Sequence, residues 1–266
     1  MGVKTELTLK QLCQLFPKYD FKQIIPTTNG IMDTTYIVKN SSDAYILKKY
    51  EREMGKKVQT EQALLEHLLT CKLNTPQYLE ENKGWYLYTK LQGSMPKTTK
   101  LFHIQALARF LAEFHNQSKD FTNARPFLAA YEINKMLGFV KKNHYAYYKK
   151  LSCVKNIRQK EEGFIHGDIF KDNTLFHKNN IAVFDFIDGG LGEFAFDTAV
   201  ALLSFNPKNR QLFTRVFLAT YNQKKKRKIT PAELQKQRNT AAAFYALLRI
   251  NHDKKTKRAK EMYNAS

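Results

Sequence analysis

The run GFIHGDIFKDNTLF at residues 163–176, followed by AVFDFIDGG at 182–190, constrains this chain more than any other segment. It sets His166, Asp168, Asn173 and Asp185 in fixed order between apolar residues that read as short strands. Residues 181–186 are apolar except for Asp185, so the pattern predicts a buried strand that delivers one carboxylate. An uncompensated carboxylate there is costly, and a divalent cation is a natural compensator. A strand–turn–strand with a capping Asp and a core His would explain each polar residue singly. It does not explain Asp168, Asn173 and Asp185 together.

Phosphoryl transfer from ATP needs this inventory: a carboxylate to orient a hydroxyl, and an amide plus a second carboxylate to hold Mg2+. Protein kinases place an Asn five residues after the catalytic-loop Asp, and a later Asp on magnesium. HGDIFKDN keeps that spacing but has His-Gly-Asp where protein kinases have His-Arg-Asp. This variant resembles the aminoglycoside phosphotransferase and choline kinase family, the small-molecule branch of the kinase-like fold. The resemblance implies that Asp168 orients or deprotonates the acceptor hydroxyl, while Asn173 and Asp185 hold magnesium against the ATP phosphates. It also implies that Asp197, in FAFDTAVALLSF, hydrogen-bonds the catalytic-loop backbone; from the residues alone Asp197 could be the N-cap of an apolar helix. His166 reads as structural support of the loop, and Asp172 and Asp188 as turn residues.

A small nucleotide-clamping lobe should then lie upstream. NGIMDTTYIVK at 29–39 and DAYILKKY at 43–50 read as a hairpin turned by Asn-Ser-Ser-Asp. Gly30 opens the first strand where a loop could cover phosphates, although neither a G-x-G-x-x-G nor a Walker A pattern is present. Strand alternation sends Lys48 and Lys49 to opposite faces, so only one points inward. Lys48, after Tyr-Ile-Leu, matches the family's phosphate-binding lysine. VQTEQALLEHLLT at 58–70 has helical spacing, with Glu61 near its start as the lysine's ion-pair partner or as a favourable first-turn charge. Residues 73–96 read as two strands running into a linker around 89–93, where the backbone near Lys90 and Gln92 would bind adenine. Gly93 and Pro96 mark a lobe boundary, giving a nucleotide lobe at 1–92 and a catalytic, acceptor-binding lobe at 93–266.

From about residue 98 the pattern becomes helical. IQALARFLAEFHNQS at 104–118 resembles the family's Leu-Ala-x-x-His helix, with His115 structural at its end. PFLAAYEINKMLGFVKKNHYAYYKKL reads as one or two helices, and 194–221 and 231–252 as the last ones. After Asp197 the acidic residues are Glu233, Asp253 and Glu261, against sixteen Lys or Arg. Polycationic aminoglycosides need clustered carboxylates, whereas a substrate carrying its own carboxylate or phosphate suits this segment. Arg249 in AAAFYALLRINHD is the candidate anion partner, with Arg215 behind it. Within the family, GFIHGDIFKDNTLF, VFDFID, FAFDTAVALL and the late ALLRI segment resemble the kinase-like homoserine kinases. The opening KTELTLKQLCQLFPKYD resembles their N-terminal helix, and NGIMDTTYIV also resembles a loop of sugar 1-kinases. The implied activity is ATP- and Mg2+-dependent phosphorylation of a small-molecule hydroxyl, homoserine first. The alternatives are a choline, sugar or aminoglycoside kinase, or a non-catalytic kinase-like binding module.

The expected fold is α/β (α+β), protein-kinase-like and two-lobed, with a small β-rich N-lobe and a mostly helical C-lobe. No stretch approaches the ~18 apolar residues of a membrane span. MGVKTELTLKQ lacks a signal-peptide core, and Cys13, Cys71 and Cys153 suggest neither disulfides nor zinc, so a cytoplasmic protein without a membrane partner is expected. The net charge of +20 raises nucleic-acid binding, but the charge is spread along the chain without a stacking motif. KKKRK at 224–228 reads as a solvated loop. No specific nucleic acid is expected, and the excess charge favours the approach of ATP.

Overall fold

Alternating apolar residues before position 92 and helical spacing after it give two compact units, Met1–Gln92 and Gly93–Ser266. The computed structural model describes residues 3–28, 32–205 and 210–265, with side chains described through Met262. Gly30 lies outside the described residues.

The first unit is built on an antiparallel sheet of β1 (Gln23–Pro26), β2 (Thr34–Lys39), β3 (Ala44–Lys49), β4 (Tyr78–Asn82) and β5 (Trp85–Thr89), in the order β1-β2-β3-β5-β4. Tyr36 pairs with Leu47 and Leu47 with Leu87, so one face of three strands is apolar. That face packs with Val38 and Trp85 against Leu12, Phe16 and Phe21. Leu12 comes from α1 (Leu9–Leu15), which starts at a capping box between Thr8 and Gln11. The β2–β3 turn is closed by Asn40, whose Oδ1 accepts from the backbone N–H groups of Ser42 at 3.0 Å and Asp43 at 2.7 Å. The helix α2 (Lys57–Thr70) buries Val58, Glu61, Leu64, Leu65 and Leu68. Glu61 is the one charged residue in that stripe.

The second unit begins where the chain must pass close to another backbone. Gly93 has φ +123°, and a Cβ there would lie 2.8 Å from the carbonyl oxygen of Phe176. Only glycine fits, because Ser94 bridges to Phe176 immediately afterwards. The helices are α3 (Leu101–Gln117), α4 (Ile133–Asn143), α5 (Tyr145–Leu151), α6 (Phe194–Ser204), α7 (Arg210–Gln223), α8 (Pro231–Asp253) and α9 (Lys257–Ala265). Residues Phe194 to Leu203 of α6 are all buried, so this helix is core all round and packs on α8, while α3 packs on α7. Between α5 and α6 lie β6 (Gly163–Ile165), β7 (Thr174–His177), β8 (Asn180–Val183) and β9 (Gly190–Gly192). They form two antiparallel ribbons, β6–β9 and β7–β8.

The sequence reading is corrected or extended at four places. The strand predicted over 181–186 stops at Val183, and Asp185 sits beyond it with φ +70°. Gly190–Gly192 pairs with β6 as a strand, which its glycines do not advertise. Helix α9 escapes the pattern because four of its nine residues are charged; it is anchored by buried Ala259 and Met262. The KKKRK run is a largely exposed loop, as expected, with two of its side chains held by neighbours. Lys225 lies 4.7 Å from the centre of the Phe194 ring, and Arg227 pairs with Glu162 at 3.4 Å. No helix of the described residues is long and apolar enough to cross a membrane, and Cys13, Cys71 and Cys153 are free thiols.

Candidate active site

Asp197 anchors the loop that carries the candidate catalytic residues. It is the fourth residue of α6, whose N-cap is Glu193, so Asp197 is not the cap. Its side chain turns onto the loop after β6. Oδ1 accepts from the Gly167 N–H at 2.7 Å, and Oδ2 accepts from the His166 N–H at 3.1 Å. His115 Nε2 lies 3.0 Å from the same Oδ2, and His115 Nδ1 lies 2.8 Å from the Tyr221 hydroxyl. A neutral imidazole protonated at Nε2 satisfies both contacts, donating to Asp197 and accepting from Tyr221. Burial pushes the Asp197 carboxyl up, but its bonds from His115 and the loop N–H outweigh this and hold it below its ordinary value. Burial likewise holds His115 and His166 down. The result is a buried, fully hydrogen-bonded carboxylate beside neutral histidines.

His166 closes the loop internally. Its Nε2 lies 3.0 Å from the carbonyl oxygen of Phe184, and its Nδ1 accepts from the Asp168 N–H at 3.2 Å. This joins the segment bearing Asp168 to the one bearing Asp185. The glycine in His-Gly-Asp also has a steric cause. Gly167 has φ +73°, and the ring of Phe127 occupies the space its Cβ would need. An arginine does not fit there. From the other side, the buried Tyr245 hydroxyl of α8 donates to the Gly167 carbonyl.

Asp168 and Asn173 are held together by two contacts. The Asn173 amide nitrogen donates to the Asp168 carbonyl at 2.8 Å and to its Oδ2 at 3.0 Å. Burial first, and then the carboxylates of Asp185, Asp172 and Asp188, push the Asp168 carboxyl well above the usual range. Although Asp168 keeps some solvent contact, protein surrounds it closely enough for this shift. Three carboxylates of the second unit thus act on a fourth. Among the described residues no three His, Cys, Asp or Glu side chains form a metal site by themselves. The donor set nevertheless fits a hard, oxygen-seeking cation that takes further ligands from a bound phosphate. Asn173 Oδ1 accepts no hydrogen bond among the described residues.

Arg249 comes to the same region. It lies on α8 one turn after Tyr245, and both pack on Phe170: the Tyr245 ring at 4.9 Å between centroids, the guanidinium carbon at 5.6 Å. Burial and Arg258 lower the Arg249 pKa, while Glu261, Asp172 and Asp168 act in the opposite sense. Among the described residues Arg249 forms no hydrogen bond or salt bridge. Arg215, the second candidate, is exposed on α7.

In the first unit, Lys48 and Lys49 part as alternation requires. Lys49 Nζ lies 5.3 Å from the Trp85 ring centre, toward the apolar face. Lys48 Nζ lies 4.9 Å from the ring centre of Tyr50, whose hydroxyl donates to Glu61 Oε2 at 2.9 Å. Lys48 therefore shares the α2 side with Glu61. Lys90 and Gln92 are exposed in irregular chain beyond β5. A cavity of about 260 Å³ lies elsewhere in this unit, lined by Lys49, Arg52, Val58 and Tyr86 among others.

Sequence reasoning missed Phe127, Tyr221, Tyr245, Tyr50 and Tyr88. The Tyr221–His115 contact spans 106 residues and the Tyr245–Gly167 contact 78, and no local spacing encodes either.

The homoserine kinase of Polaromonas naphthalenivorans is 24% identical over 233 residues, covering 76% of this chain and 72% of that protein. Among solved structures, the amicoumacin kinase hAmiN in complex with AMP-PNP, Ca2+ and Ami superposes with a TM-score of 0.75 at 18% identity, over 97% of this chain and 89% of that one. The choline kinase from Cryptosporidium parvum Iowa II gives a TM-score of 0.67 at 12% identity, over 95% of this chain and 90% of that one. The fold is accordingly protein-kinase-like and two-lobed, with an antiparallel sheet in the small lobe and a mostly helical large lobe. Residues 23–235 match the phosphotransferase enzyme family (APH), and the chain belongs to that family, as a kinase whose phosphoryl acceptor is an alcohol.

Proposed function

We propose that this protein transfers the γ-phosphoryl group of magnesium-ATP to the hydroxyl of a small acceptor that carries its own carboxylate, with homoserine as the first choice. The observation that carries the acceptor class is Arg249, a half-buried guanidinium without a hydrogen-bonding partner among the described residues, in the field of Asp168 and Asp172. A carboxylate on the acceptor supplies that partner, and the hydroxyl of the same molecule is then presented to Asp168. The similarity to a homoserine kinase supports the same choice. The acid-poor segment after Asp197 disfavours a polycationic aminoglycoside, although such kinases share the fold.

In this reading residues 1–92 form the nucleotide lobe and 93–266 the catalytic lobe. Lys48, oriented by Glu61, holds the ATP phosphates, and the chain at Lys90 and Gln92 takes the adenine. Asn173 and Asp185 would hold Mg2+, which when bound neutralises charge on the phosphates. Asp168 aligns the acceptor hydroxyl and takes its proton as the new O–P bond forms and the bond from the γ-phosphorus to the departing ADP oxygen breaks. Asp197 and His166 keep the loop rigid, so that Asp168 needs no reorganisation at that moment. The setting is cytoplasmic.

The test is a magnesium-ATP consumption assay against homoserine, choline, N-acetylhexosamines, methylthioribose and kanamycin. Turnover confined to homoserine is expected. Turnover of kanamycin or choline alone overturns the acceptor assignment and leaves the phosphotransferase chemistry standing.

A further inference from the structure

We infer that Tyr50 and Tyr88 are positioning residues for the nucleotide phosphates, acting through Glu61 and Lys48; the inference rests on the nucleotide-lobe reading above. Glu61 is only 4% exposed, so its carboxylate needs donors inside the protein. Two phenols converge on one of its oxygens. Tyr50 donates to Oε2 at 2.9 Å and Tyr88 donates to the same atom at 3.1 Å, while the two hydroxyls lie 3.2 Å apart. Tyr50 follows directly on β3, Tyr88 belongs to β5, and Glu61 belongs to α2. Three elements are thus fastened at one carboxylate.

The choice of phenols matters. Neutral donors fix the carboxylate in place without adding positive charge of their own, so it keeps the charge with which it orients an ammonium group. The ring of Tyr50 also faces Lys48, whose ammonium lies 4.9 Å from the centroid, within cation–π range. One tyrosine therefore touches both members of the pair, the acid through its hydroxyl and the base through its ring. The register adds to this: Lys48 sits opposite Tyr86 and Ile46 opposite Tyr88, which puts Lys48, Ile46 and the Tyr88 ring on one face. The lysine is set before nucleotide arrives, so binding does not have to order it.

The experiment measures equilibrium binding of magnesium-ATP and of adenosine, together with thermal melting, for the wild type, Tyr50→Phe, Tyr88→Phe, the double variant, and each in a Lys48→Met background. The double variant should bind magnesium-ATP about tenfold or more weakly, while adenosine affinity stays within about twofold. In the Lys48→Met background the hydroxyls should make no further difference. Equal weakening of adenosine and ATP would reduce the tyrosines to a structural role and overturn the inference, as would losses that simply add to that of Lys48→Met. If the double variant does not fold, Tyr50→Phe alone carries the same comparison. A wild-type chain that binds neither ligand overturns the nucleotide-lobe reading and this inference together, whereas intact wild-type binding with indifferent tyrosine variants overturns this inference alone.

Discussion

Two buried carboxylates, Glu61 in the small unit and Asp197 in the large one, are satisfied in opposite ways. Glu61 receives phenol hydroxyls, groups that can be removed one at a time without disturbing the backbone. Asp197 receives the N–H groups of His166 and Gly167, so its bonds exist only while the loop keeps its path. The small unit's anchor adjusts a side chain; the large unit's anchor defines a backbone. Substitutions at the first should change affinity, and substitutions at the second should change stability.

The largest effect is expected at the residue that the backbone anchor serves. Asp168→Asn should fold and bind nucleotide while kcat falls by about 10²–10⁴; near-normal turnover would remove Asp168 from its role. The same variant tests the electrostatics. Because the folded pKa of Asp168 is raised, its cost to stability grows as the pH rises from the ordinary carboxylate value of the unfolded chain, is complete above the folded pKa, and is absent below the unfolded value. In chelated, nucleotide-free protein, Asp168→Asn should therefore melt above wild type at pH 8, and the gap should close as pH falls toward 4. A gap that widens on acidification has the wrong sign.

Asp197→Ala removes the acceptor of two buried loop N–H groups and the partner of His115, with an expected loss of about 3–5 kcal/mol in urea unfolding. Glu61→Gln should lose far less stability and show its main effect on magnesium-ATP affinity. Similar unfolding losses in the two variants would erase the contrast between side-chain and backbone anchoring.

Arg249→Met should raise KM for a carboxylate-bearing acceptor by about 10- to 100-fold, the range of a lost charge-assisted hydrogen bond, with KM for ATP unmoved. An equal rise in both constants would place Arg249 outside acceptor recognition. The smallest change is Gly167→Ala. Its positive φ and the Phe127 ring make one methyl group cost about 1–3 kcal/mol, read as a lower melting temperature. If Phe127→Leu in the same chain restores part of that loss, the steric explanation of His-Gly-Asp holds; no restoration would leave the backbone angle as the sole cause.

The sequence carried the short-range information. Alternation in 34–39 and 44–49 gave the hairpin, with Lys48 and Lys49 on opposite faces, and Asp168, Asn173 and Asp185 stood in the order the loop requires. It also pointed to Arg249, through the scarcity of acidic residues after Asp197 rather than through spacing. Strand 181–186 was overextended because apolar content alone cannot signal the left-handed turn that Asp185 makes. Only the tertiary structure decided what surrounds these residues: Tyr221 on His115, Tyr245 on Gly167, Phe127 against the glycine, Phe170 between Tyr245 and Arg249, and the two tyrosines on Glu61. Periodicity records which face of an element is buried, because that repeats every two or 3.6 residues. Which distant residue fills a given buried space is set by how whole elements pack, and that choice leaves no repeat in the chain.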